Sequence, residues 1–293
     1  MSPHQHDPSS TSSSSVAVTG ATGRIGGAVA AQLRAGGLAP RLVVRDASRA
    51  PEWAEDVAVA SYGDRRAATA ALTGVDILLM VSASESADRL TQHRTFIDAA
   101  AAAGVRHIVY TSFLSAAPDA VFTLARTHWA TEEHLHASGM GLTVLRDSFY
   151  ADFLPDLAVD GVIAGPAGTG RVGAVARADV ARAATAVIGD LAAGDRRHDG
   201  AVYELTGPEA LTLAEAAAVI TRATGRPTVY REQTLEEAYA SRSVYGAPDW
   251  EVDAWVSTYT AIASGALDRV TDDVERLTGR RPLSLAQLLA DHR

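Results

Sequence analysis

Apolar residues along the chain come in short runs separated by stretches of helical periodicity. The first run, Val16–Val18, leads through Thr19-Gly20-Ala21-Thr22-Gly23-Arg24-Ile25-Gly26 into a helical stretch from Ile25 to Arg34. Gly36 and Gly37 stop it, a common helix ending. Further strands are predicted at Arg41–Val44, Val57–Ala60, Val75–Val81, His107–Tyr110 and Leu142–Leu145. Helices are predicted over Gln92–Ala103 and Leu124–Ser138. Val75–Val81 is almost continuously apolar, as a strand buried on both faces of a parallel sheet must be. Alternating strand and helix predicts the α/β class, with a doubly wound parallel sheet of the Rossmann kind.

After Tyr150 the alternation weakens. Gly161–Gly173 is rich in glycine and reads as a mobile loop or a hairpin. A helix over Ala178–Ile188 and a strand over Val202–Leu205 follow, then helices over Leu213–Thr224, Leu235–Ser241, Trp250–Ala263 and Leu283–His292. This predicts a disordered Ser-rich tail over 1–15, a Rossmann domain over 16–150, and a smaller, mainly helical substrate-binding region over 151–293. Segments near 176–205 are expected to return to the sheet.

Composition narrows the chemistry. The chain has 293 residues, 47% hydrophobic and 21% charged, which is too apolar for disorder. It contains no Cys, so disulfides, thiolate metal sites and cysteine nucleophiles are excluded. All 26 basic residues are Arg, and no mechanism that needs a lysine is open. The formal charge of -9 argues against a general nucleic-acid binder. No apolar run is long enough to span a membrane, and the N-terminal tail lacks the apolar stretch of a secretory signal. A cytoplasmic protein without a bound metal is expected. His4 and His6 in the tail invite a metal reading, but a solvated tail is the simpler one.

Gly20, Gly23 and Gly26 follow a strand and open a helix, the context of a dinucleotide turn. Such glycines let the backbone approach a pyrophosphate, whose charge rests on the free N–H groups of the helix N-terminus. Their spacing is GxxGxxG, and a turn with glycines for packing alone is the competing reading. The second strand ends in Arg45, where an NAD site carries an acidic residue and an NADP site a basic one. Arg24 and Arg49 lie near enough to assist, although Arg49 could equally be a surface charge. NADP(H) is the expected cofactor.

Beyond these local readings, GATGRIG, VVRDASRA, ASYGD, LLMVSASE, TQHRTFIDAA, RHIVYTSF and THWATEEHL occur in an order that resembles the NmrA-like atypical short-chain dehydrogenase/reductase family. Within it the chain is similar to the NADPH-dependent quinone oxidoreductases that lack flavin. The resemblance implies that NADPH lies along Gly20, Ala21, Thr22, Gly23, Arg24, Ile25 and Gly26 and at Arg45. It further implies contacts at Tyr62 and Gly63 after the third strand and at Ser82, Ala83 and Ser84 after the fourth. Tyr62 offers a flat face to adenine, or is a tyrosine at the core edge.

The Tyr-x-x-x-Lys motif of ordinary short-chain dehydrogenases cannot exist without lysine. The resemblance places His128 at the lysine position, where it would bond the nicotinamide ribose or the acceptor oxygen; a merely packed histidine is the alternative. Ser112 and Tyr150, at strand ends, complete the candidate catalytic set. Relatives of this type often carry Asn where this chain has Asp147, and Asp where it has Ser61. The implied partner is a small molecule, a quinone or another flat carbonyl compound, with neither nucleic acid nor membrane, and a homodimer is compatible. A regulator that binds NADP(H) without turnover, and a biosynthetic ketone or imine reductase, remain alternatives.

Charge-assisted hydrogen bonds contribute about 1.5–3 kcal/mol each. Arg45→Ala should therefore raise the NADPH dissociation constant about ten-fold or more while NADH binding changes little. Equal affinity of the unmodified protein for the two cofactors, measured by fluorescence titration, would refute the assignment.

Overall fold

Side chains of a strand alternate between the two faces of its sheet, and here both faces must be covered. The computed structural model describes residues 15–290; the Ser-rich segment before them lies outside the described residues. In chain order the first half holds β1 (Val16–Thr19), α1 (Arg24–Ala35), β2 (Arg41–Val44), β3 (Val57–Val59), α2 (Arg65–Leu72) and β4 (Ile77–Met80). Then come α3 (Arg89–Ala103), β5 (His107–Phe113), α4 (Thr123–His136) and β6 (Gly141–Asp147). The second half holds β7 (Ala158–Val159), β8 (Val162–Gly165), β9 (Arg171–Val172), α5 (Arg177–Ala192), β10 (Val202–Leu205) and β11 (Leu211–Thr212). It closes with α6 (Leu213–Thr224), β12 (Val229–Glu232), α7 (Leu235–Ser243), α8 (Asp249–Ala263), α9 (Asp273–Thr278) and α10 (Leu285–Ala290).

Seven strands form one sheet in the order β10-β6-β5-β4-β1-β2-β3, and every neighbouring pair is parallel. Val16, Val18, Ile77, Leu79 and Val109 face one side, where they pack with α1 and α5. Ala17, Leu78, Met80, Ile108 and Tyr110 face the other, against α2 and α3. This is the doubly wound Rossmann arrangement. The chain order turns back between β1 and β4, and ligands of such sheets bind beyond the carboxyl ends of the strands at that point. A third apolar cluster joins α6, α8 and α10 to β8 and β9 beside that edge. Among the described residues no helix is long and apolar enough to cross a membrane.

Several expectations need correction. α2 escapes the sequence reading because its buried positions are only Ala68, Ala71 and Leu72, too small to carry a clear apolar stripe. Asp64 caps it by accepting the Ala67 N–H at 2.9 Å. α9 is likewise short and mostly polar. Ser15, assigned to the tail from sequence, is bound to the sheet: its N–H donates to Asp76 Oδ2 at 2.9 Å. For the glycine-rich stretch 161–173, read as a mobile loop or a hairpin, the hairpin holds: β8 pairs antiparallel with β7 and also pairs with β12. A Cβ on Gly165 would collide with the Tyr259 ring, so the glycine admits α8 against the strand.

α1 meets the end of β1 closely enough to exclude a side chain. A Cβ on Gly26 would lie 2.5 Å from both the Thr19 and Gly20 carbonyl oxygens, which are backbone and cannot move aside cheaply. Gly26→Ala should destabilise the protein by about 1–3 kcal/mol, the usual cost of overpacking. Thermal unfolding reads this directly, and an unchanged midpoint would show that helix and strand separate freely.

Candidate active site

The cofactor end of the site begins at Gly20, whose φ of +61° is a conformation that side chains disfavour. Gly23 donates its N–H back to the Gly20 carbonyl at 2.8 Å, closing a tight turn. Helix α1 then starts with no side-chain cap and no acidic residue in its first turn. The free N–H groups, the helix dipole and a backbone stripped of Cβ atoms fit the pyrophosphate of a dinucleotide.

At the end of β2, Arg45 is exposed and has no hydrogen bond or ion pair with other described residues; the same holds for Arg24. Asp46 is occupied by its own turn, accepting the Ser48 N–H at 2.9 Å and hydroxyl at 2.7 Å. Those bonds hold its carboxyl below the usual range. The basic residue is thus left to face a ligand while the acidic one is engaged.

Tyr62 bridges the ends of β1 and β4. Its hydroxyl donates to the Val81 carbonyl at 2.6 Å and lies 2.6 Å from Thr19 Oγ1, which also accepts the Val81 N–H. One face of its ring stacks on Phe96 with centroids 4.2 Å apart, so only the opposite face is left for an adenine. Gly63 is exposed beside it. After β4, Ser82 donates its N–H to Thr111 Oγ1 at 2.9 Å, and Ala83 donates its N–H to His93 Nε2 at 2.9 Å. Ser84 is exposed. Because His93 Nε2 accepts, its proton sits on Nδ1 and points at Thr131 Oγ1, 3.0 Å away. Burial, aided by the Arg89 charge, pushes His93 down to about 3 and keeps it neutral.

His128 does not stand open at the strand edge. It is buried, with Nε2 2.7 Å from an Arg89 guanidinium nitrogen and Nδ1 3.0 Å from the Tyr110 hydroxyl. An arginine can only donate, so Nε2 accepts and the Nδ1 proton goes to Tyr110. Burial first, then Arg89 and His93, hold this imidazole well below its ordinary pKa. The expectation of His128 as a hydrogen-bond or proton donor is corrected accordingly, since neither ring nitrogen has a proton free for a ligand.

Ser112 is similarly engaged, with its hydroxyl bonded to the buried Glu132 carboxylate. Glu132 also takes two hydrogen bonds from Arg146, at 3.0 and 2.6 Å. Tyr150 donates its hydroxyl to Asp147 Oδ2 at 2.9 Å, while Asp147 Oδ1 is buried without a partner. Burial pushes the Asp147 carboxyl up to about 8, so it is predominantly neutral at pH 7. Register links these groups: Ser112 pairs with Arg146, and Phe113 with Asp147, across β5 and β6. Phe113 packs on Phe122 at 4.7 Å and leads to a cavity of about 200 Å³ lined by Leu114, Phe122, Ala125, Ala261 and Leu267.

Sequence reasoning missed Arg89, His93, Tyr110, Glu132 and Arg146. A signal existed for three of them. Buried positions of α3 fall at Arg89, His93, Phe96, Ile97, Ala99 and Ala100, and those of α4 at Ala125, His128, Thr131, Glu132 and Leu135. Both are helical core stripes that carry ionisable residues, which a core tolerates only when they are bonded. Among the described residues no group of three or more His, Asp or Glu could hold a metal ion.

Asp147 gives a pH test. Its pKa is raised from about 4 in an unfolded chain to about 8 in the folded one, so the folded state binds the extra proton. Its contribution to stability must fall as pH rises through that window. Asp147→Asn removes this dependence, so its stability relative to the parent should climb from pH 5 to pH 8 and then level off. Urea unfolding across that range checks it, and a difference independent of pH would show Asp147 to be an ordinary carboxylate.

Residues 20–191 match the sequence profile of the NAD(P)H-binding family. The chain is 37% identical over 281 residues to quinone oxidoreductase 2 of Escherichia coli, covering 93% of this chain and 96% of that protein. It is 30% identical to the NAD(P)H azoreductase of Xenophilus azovorans, covering 94% of this chain and 97% of the relative. The crystal structure of the E. coli NADPH-dependent quinone oxidoreductase with NADPH superposes with a TM-score of 0.85 at 35% identity, over 94% of this chain and 99% of the other. With the glycine cradle and doubly wound sheet already described, the chain belongs to the NAD(P)H-binding family.

Proposed function

We propose that this protein is an NADPH-dependent oxidoreductase that delivers hydride to a quinone or a similar flat, electrophilic carbonyl compound. The observation that carries the reading is the way each candidate proton donor at the strand edge is committed internally. Ser112 bonds Glu132, Tyr150 bonds Asp147, and His128 bonds Tyr110. An acceptor suited to such a site needs little acid catalysis, because it takes up electrons readily and water can protonate its oxygens. Relatives named as quinone and azo reductases support the same class.

When bound, NADPH supplies the hydride. The chain's own residues orient and enclose. Gly20–Gly26 and the open end of α1 hold the pyrophosphate, Arg45 the 2′-phosphate, and the free face of Tyr62 the adenine. Tyr62, Thr19 and His93 tie down the backbone after β4, fixing Ser82–Ser84 where the nicotinamide half must lie. Phe113, Phe149 and Tyr150 supply flat apolar surface for the acceptor. Orientation and water exclusion are then the main catalytic devices.

A second reading rests on the Asp147–Tyr150 pair. A neutral carboxyl beneath a tyrosine hydroxyl could feed protons to a less reactive ketone, with Tyr150 as the acid. Purified without added flavin or metal, the protein should oxidise NADPH in the presence of benzoquinone or naphthoquinone, followed at 340 nm. Tyr150→Phe should cost a quinone acceptor less than about ten-fold, whereas a ketone that needs an acid would lose about 100-fold or more. Tight NADPH binding without turnover on either class would replace both readings with an NADP(H)-sensing regulator.

A further inference from the structure

The core face of α3 carries a positive charge with no counter-ion. Arg89 is 3% exposed, and its Nε has no hydrogen-bond partner. One terminal nitrogen bonds His128 Nε2 at 2.7 Å, and the other reaches only Thr127 Oγ1 at 3.5 Å. No ion pair joins it to a carboxylate among the described residues. The acids around it are unavailable. Glu132 is bound by Arg146 and Ser112, and Asp147 is neutral. Glu85 forms no ion pair with it, although the upward pull of burial on its carboxyl is opposed by the Arg89 charge.

Taking a guanidinium out of water without a counter-ion is costly, and a buried polar group left unsatisfied calls for a catalytic role or a bound water or ion. The charge lies beside the strand edge, because its nitrogen bonds His128, whose other ring nitrogen meets the hydroxyl of Tyr110 on β5. It is also held in place: His128, kept neutral by burial and by this same cation, gives its Nε2 lone pair to the guanidinium and its Nδ1 proton to Tyr110.

We infer that Arg89 is the oxyanion site for the acceptor, with His128 as its positioning residue. The inference rests on the proposed carbonyl-reductase activity and names the ligand of that site: an acceptor whose oxygen becomes, or already is, an anion. In the reduction the acceptor gains one hydrogen together with both electrons of the bond that held it, and the nicotinamide is oxidised by two electrons. The acceptor is left with a negative oxygen. Arg89 meets that charge, and a proton from water completes the product. A donor aimed where charge develops lowers the barrier more than it tightens ground-state binding.

The test compares two probes of similar shape, 2-hydroxy-1,4-naphthoquinone at pH 6.5, where it is an anion and Asp147 is neutral, and the neutral 2-methoxy-1,4-naphthoquinone. Calorimetry on the NADP⁺-saturated protein should show the anion bound about ten-fold or more tightly than the neutral probe. Arg89→Gln should abolish that preference, Arg89→Lys should keep part of it, and NADPH affinity should stay within about three-fold in both. Turnover of quinones by Arg89→Gln should fall about 100- to 1,000-fold, as when an oxyanion-hole donor is lost. Its melting temperature without ligand should rise, because an uncompensated buried charge has gone. A retained anion preference, a parallel loss of NADPH affinity, or a lowered melting temperature would each overturn the assignment. The probe measurement needs no turnover. A protein that prefers the anion through Arg89 yet reduces no carbonyl keeps this site and loses the proposed activity. If Arg89→Gln reduces quinones as fast as the parent, the activity stands and this site is lost.

Discussion

The pairing of β5 with β6 continues past the end of β4, and the candidate site exists because of that overhang. β4 leaves the sheet at Met80, opposite Tyr110, while β5 and β6 stay paired as far as Phe113 and Asp147. The extra length lifts Thr111, Ser112, Arg146 and Asp147 above the neighbouring strand. Buried or half-buried there, these polar groups need partners, although Asp147 Oδ1 goes without one. They find them on α4 and in the chain leaving β4: Glu132 for Ser112 and Arg146, and the Ser82 N–H for Thr111. Hydrogen bonding thus ties α4 and the post-β4 segment to one ledge of backbone, and α3 joins them through His93.

The sheet was legible because its strands announce themselves. Short apolar runs bounded by glycine and polar residues can be little else in a chain this regular, and β2, β10 and α6 fall where the pattern puts them. Strand ends were harder. Thr111 and Ser112 are polar, so apolar counting stops at Tyr110, although the backbone ladder continues through them. α2 hid for the opposite reason, since alanines satisfy its burial without marking a face.

The site was legible in outline and misread in detail. The glycine turn and the strand-end arginine follow from local rules about backbone and charge. His128 does not, because sequence places a residue on a helix but not the atoms that meet its two nitrogens. Only the structure sets Arg89 on one side and Tyr110 on the other. The ionisable residues on the core stripes of α3 and α4 were the available clue. Histidine and arginine at positions otherwise filled by Phe96, Ile97 and Leu135 had to be answering one another or a ligand.

The locked histidines have a bearing on how the protein endures its surroundings. Electrophilic carbonyl compounds of the quinone type arylate soft nucleophiles by conjugate addition, and cysteine thiols and lysine amines are the usual casualties. This chain has neither side chain. Imidazole nitrogen is the next target, and in His93 and His128 the attacking lone pair on Nε2 is already given to a hydrogen bond, from the Ala83 N–H and from Arg89. A reactive compound at this edge meets neither a thiol nor a lysine amine, and the Nε2 lone pairs of His93 and His128 are not free to capture it.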